Sequence, residues 1–143
     1  MFHSSPEPRD LAQRLVLGEA GDAAGPAATA VAVETVCCTL GNDLKRILGS
    51  GGISSLLTRA LHLAQRDEPL LEGVRVTAGP EGCFTGLADA LEACTDEEAR
   101  VTGSSVVAHL LALLVTLLGE DLGLRPVRKL WPQVASSAME IDE

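Results

Sequence analysis

Between Val106 and Leu118 only His109 and Thr116 interrupt an apolar run, so a helix drawn through it is apolar on every side. Such a helix has to be surrounded by other elements, and it is predicted to form the centre of the fold. Elsewhere the pattern changes to one-sided stripes. Val33, Val36, Cys37, Leu40, Leu44, Ile47 and Leu48 recur at helical spacing and predict a helix over residues 27–48, with Glu34, Asp43, Lys45 and Arg46 mainly off the stripe. After a glycine-rich break at 49–52, a second stripe of Ile53, Leu56, Leu57, Ala60, Leu61 and Ala64 predicts another helix, whose polar face carries Arg59, His62 and Arg66. A short helix over 11–17, capped by Asp10 and closed by Gly18, precedes both.

The period shifts after Pro69. Val74 and Val76 face one way and Arg75 the other, turn residues follow at 79–82, and residues 74–77 and 83–85 are predicted to pair as a short hairpin. From Gly86 a short helix carries Leu87, Ala90, Leu91 and Cys94 on one face. Thr95 and Glu98 have the spacing of a capping box that opens the next helix, which Gly103 is expected to interrupt before the central run. Residues 119–125 read as a break, and Pro126 suits the first turn of a last helix with Val127, Leu130 and Trp131, stopped by Pro132. The fold class is all-α, a single-domain helical bundle around a central apolar helix, which a short β-hairpin flap can accompany. Residues 1–26 are expected to be a mobile segment with one short helix, 27–132 the helical domain, and 133–143 a disordered acidic tail.

Composition narrows the function classes. At 143 residues the chain has the size of one domain, and a core with 2% aromatic residues has to be built from Leu, Val and Ala. Scarce rings and a formal charge of −9 argue against stacking platforms and phosphate backbones, so no nucleic-acid partner is expected. The central run falls short of the roughly 20 apolar residues of an ordinary membrane span. Cys37, Cys38, Cys83 and Cys94 lack paired metal-ligand spacing, so neither zinc nor any other metal or cofactor is expected. Cys37 and Cys38 are adjacent on a helix, a poor geometry for bonding to each other. Both are expected to be free thiols, which points to a reducing, cytoplasmic compartment.

The stretches RALHLAQ (59–65), LLVTLLGEDL (113–122) and LRPVRKLWP (124–132), with the Pro69–Leu70 pair and residues 74–86, resemble a group of small, uncharacterised all-helical bacterial proteins. The resemblance spans about the last two-thirds of the chain and implies an all-helical bacterial cytosolic protein. It carries no activity and no functional residues with it.

Candidate chemistry is thin. Ser105, His109, Ala112, Thr116 and Glu120 form a small or polar seam along the central helix, either making room for a neighbour within the monomer or meeting a second chain. The leading expectation is a non-enzymatic interaction or regulatory module that self-associates as a homodimer or binds a protein partner. The alternative is a sensor or carrier whose apolar interhelical pocket takes a small apolar ligand, with His109 and Thr116 orienting a polar group. His62 is expected to be exposed on its helix. Cys83 is the more accessible thiol for a nucleophile but has no identifiable base, and no catalytic residue is assigned.

Overall fold

A computed structural model of the chain describes residues 7–79 and 82–134. Helix α1 (Pro8–Ala20) starts on a proline whose missing N–H costs nothing there, and it ends at Gly21, where φ is 61°. Helix α2 (Pro26–Asp67) starts in the same way and stops before Pro69. A 3₁₀ turn (Pro69–Leu71) leads into strands β1 (Arg75–Gly79) and β2 (Gly82–Thr85), which pair antiparallel with Val76 opposite Phe84. Helix α3 (Leu87–Leu91) follows Gly86, and α4 (Asp96–Leu130) closes the fold. The all-α class and the accompanying hairpin are as the sequence predicts.

Helices α1 and α2 both pack on α4, and the core is aliphatic, with Leu11, Leu15, Leu40, Leu71, Leu91, Leu111 and Leu114 among its fully buried side chains. The core therefore begins at Leu11 in α1, ahead of the boundary expected at residue 27. At the other end Val134 packs against the core and touches Gly18, while residues 1–6 and 135–143, where a mobile start and an acidic tail are expected, lie outside the described residues.

Each long helix contains one non-helical residue, Gly49 in α2 (φ 76°, ψ 166°) and Gly119 in α4 (φ 86°, ψ 161°). These are sharp corners. An ideal Cβ on Gly41 would lie 3.1 Å from Ile53, although the two would stand about 18 Å apart along a straight helix. One on Gly123 would lie 2.8 Å from the Leu114 carbonyl oxygen, so the limb after Gly119 folds back onto the central run. The four-residue break expected at 49–52 shrinks to one residue, because Gly51 and Gly52 are helical. Pro126 does not open a new helix, since that limb already begins just after Gly119.

The two corners belong to a repeated plan. A shift of 70 residues carries the start of α2 onto the start of α4 and Gly49 onto Gly119, and it places buried Val36, Cys37, Leu40 and Leu44 on buried Val106, Val107, Leu110 and Leu114. The same shift maps Val33 onto Gly103, and these two touch: Val33 Cγ2 would lie 3.0 Å from a Cβ at Gly103. Gly103 therefore does not interrupt the helix as expected; its missing side chain lets α2 approach. The start of α4 is fixed by the capping box, in which Thr95 Oγ1 accepts from the Glu98 N–H and Glu98 accepts from the Thr95 N–H.

By length and composition α4 contains a window apolar enough to cross a membrane, with a mean hydropathy of 2.0. Of that window 44% is buried inside the fold, and a core helix passes the same test.

Candidate functional site

A groove of about 1030 Å³ opens where the N-terminus of α1, the C-terminus of α2 and the first half of α4 meet. Helix α4 supplies Val101, Ser104, Ser105, Ala108, His109 and Ala112; α1 and its entry supply Glu7, Pro8, Arg9, Asp10 and Gln13; the end of α2 supplies Asp67 and Glu68. The floor is thus made of small side chains at helical steps along α4, and the rim carries four carboxylates against one guanidinium and one imidazole.

Hydrogen bonds fix the α2 side of the groove. His109 Nε2 lies 2.8 Å from Asp67 Oδ2, with His109 27% and Asp67 55% exposed. His109 is therefore a half-buried histidine tied to the end of α2. Thr102 Oγ1 donates to Glu68 Oε1 at 3.4 Å, and Ser104 Oγ donates to the Arg100 carbonyl oxygen at 2.6 Å, one turn earlier.

Three of the five seam residues, Ser105, His109 and Ala112, line this groove, whereas Thr116 and Glu120 lie exposed further along α4, on either side of the Gly119 corner. The groove also brings Ser105, His109 and Asp67 into one place, which sequence alone could not do because Asp67 is on another helix. Serine, histidine and aspartate together invite comparison with nucleophile activation, which requires a hydrogen bond from nucleophile to base. Among the described residues none joins Ser105 to His109. Among the described residues, too, no group of three or more His, Cys, Asp or Glu side chains is arranged to hold a metal ion.

The cysteines overturn an expectation. Cys38 is not a free thiol but is bonded to Cys83, 45 residues away, with their Cα atoms 5.8 Å apart. Cys83 is therefore not an available nucleophile, and thiol content no longer supports a reducing compartment. Cys37 is free and fully buried; burial, and then the nearby Glu34 carboxylate, push its thiol up to about 12. The Cys94 thiol is also raised, by desolvation first and then by Glu98 and Glu68. His62 is exposed, as are Arg59 and Arg66. Arg128 pairs with Asp121 at 3.6 Å. Lys129 instead crosses to Asp43 of α2 at 2.6 Å, and Trp131 Nε1 donates to Glu19 of α1 at 3.0 Å.

No protein-family model, curated protein or solved structure matches the chain.

Proposed function

We propose that this protein is a non-enzymatic interaction module whose groove receives an amphipathic helix of a protein partner, with small apolar residues toward α4 and Lys or Arg toward the rim. The observation that carries this reading is the pairing of a small-residue floor (Ser105, Ala108, Ala112) with an acidic rim (Glu7, Asp10, Asp67, Glu68) in one open groove. Small side chains let a helix backbone approach closely, and apolar anchors at helical spacing are the usual way a groove reads a helix. The rim selects against a second copy of this chain, because each copy carries a formal charge of −9. An open, charged groove also favours a peptide over the small apolar ligand.

The test measures binding of a labelled alanine- and leucine-faced helical peptide bearing lysines, against the same peptide bearing glutamates, by fluorescence anisotropy. The lysine peptide is expected to bind, to weaken as salt rises, and to lose about tenfold in affinity on Ala112→Leu, the scale of one well-packed contact. Thr116→Leu, outside the groove, should leave binding unchanged. Equal binding of both peptides, or indifference to Ala112→Leu, refutes the reading. Native mass spectrometry over a range of protein concentrations should show a monomer; a dimer dissolved by Ala112→Leu would assign the groove to a second copy instead.

A further inference from the structure

The hairpin is attached to the helices at two places of different character. Its root is held by Gln65 on α2, whose Nε2 lies 2.9, 3.4 and 3.1 Å from the carbonyl oxygens of Leu71, Glu72 and Val74. Strand β2 is held elsewhere on α2, by Glu34 and Cys38. These are one helical turn apart and so share a face. Glu34 Oε2 accepts from the backbone N–H groups of Cys83 at 3.0 Å and Phe84 at 2.9 Å, and Cys38 is bonded to Cys83. Beneath this attachment Phe84 is 6% exposed.

The arrangement separates what holds β2 from what holds the fold. A two-stranded hairpin adds little stability of its own, and the leucine core belongs mainly to the helices. Both bonded cysteines are only half-buried, so a soluble thiolate has a route to them. Burial pushes the Cys37 thiol up, and the Cys94 thiol is raised by desolvation and then by Glu98 and Glu68, so both free cysteines are poorer sources of attacking thiolate than an ordinary cysteine. Exchange within the chain is thereby disfavoured, and the half-buried Cys38 and Cys83 remain open to a thiolate from outside. The two ends of the hairpin meet where Gly86, with φ +86°, would place a Cβ 3.3 Å from the Gly73 carbonyl oxygen.

We propose that Cys38–Cys83 is a thiol-exchange site, a clasp that a dithiol reductant opens so that β2 leaves α2 and uncovers Phe84 while the helices stay folded. One thiolate of the reductant attacks either sulfur and the Cys38–Cys83 bond breaks. The displaced cysteine thiolate takes up a proton. The second thiolate of the reductant then attacks the mixed disulfide, leaving an oxidised cyclic reductant and two protein thiols. Two electrons pass from reductant to protein. The inference is independent of what fills the groove.

The test uses the full chain. Alkylation in denaturant without reductant should label two cysteines by intact mass; four labels refute the bond. Hydrogen exchange followed by mass spectrometry is then compared with and without dithiothreitol, alongside far-ultraviolet circular dichroism. Reduction should speed exchange at the Cys83 and Phe84 amides by about tenfold or more, as expected of a local opening, with helical signal and α4 protection unchanged. Oxidised glutathione should restore protection, and Cys83→Ser should match the reduced protein. Unchanged protection at Cys83 and Phe84 overturns the proposal, as does their loss only together with the helical signal, which would make the bond a structural staple.

Discussion

Gly103 decides how closely α2 and α4 approach. A Cβ there would sit 3.0 Å from Val33 Cγ2 and 3.5 Å from both Leu91 Cδ1 and Thr29 Cγ2, and Val33 is too stiff at χ1 to turn aside. Gly103→Val is expected to lower the free energy of unfolding by about 1–3 kcal/mol, the usual cost of overpacking, in urea titrations followed by circular dichroism. Gly51→Ala should instead stabilise by about 0.4–1 kcal/mol, because Gly51 is helical and faces open space. An unchanged midpoint for Gly103→Val would mean that the two helices separate freely at this point. Sequence reasoning reads both glycines as helix breakers because propensity is all it has. The reason position 103 is a glycine lies 70 residues away in Val33, and no local pattern encodes that contact. Cys38 is the same kind of case, since its partner Cys83 is on an element whose docking the spacing does not reveal.

At the scale of elements, Gly49 and Gly119 set the shape. Their φ and ψ fall in a region that only glycine occupies readily, and neither has an atom within 4 Å of an added Cβ, so a substitution is penalised through the backbone alone. Gly49→Ala and Gly119→Ala should each destabilise by about 1–3 kcal/mol in the same titration. A value near zero would show that the limb simply straightens through the corner. Much of this was legible: the one-sided stripes before and after Gly49, the all-apolar run before Gly119, the Thr95–Glu98 capping box and the hairpin all follow from side-chain period and cap chemistry. The length of the breaks was not. A cluster of glycines signals a turn but not which glycine bears the strain, and Pro126 looked like a helix start because its local context fits one equally well. The groove was half legible, in that the Ser105, His109 and Ala112 side was visible as a seam on one helix. Its acidic side comes from α1 and the end of α2, and required the fold.

For the whole molecule, the repeated plan makes Cys37 the counterpart of Val107, a thiol in a position that its twin fills with a hydrocarbon. The thiol is acceptable only while neutral. Its value rises from 9.0 to about 12, through burial first and Glu34 second, so the folded chain holds a proton that the unfolded chain releases above pH 9. The unfolded state then binds fewer protons than the folded one, and stability must fall as pH rises. The contribution is intact below pH 9 and is lost progressively as pH climbs toward 12, with a limiting slope of about 1.4 kcal/mol per pH unit. Cys37→Val, which copies the residue at the equivalent position, should therefore flatten the decline. The comparison is made by urea unfolding at pH 8 to 11 without reductant, with the Cys38–Cys83 bond intact in both proteins, so that Cys94 titrates alike in each and cancels in the difference. Parallel slopes would mean that the buried site opens to water ahead of global unfolding, and that the α2 stripe is less tightly closed than its 0% exposure at Cys37 indicates.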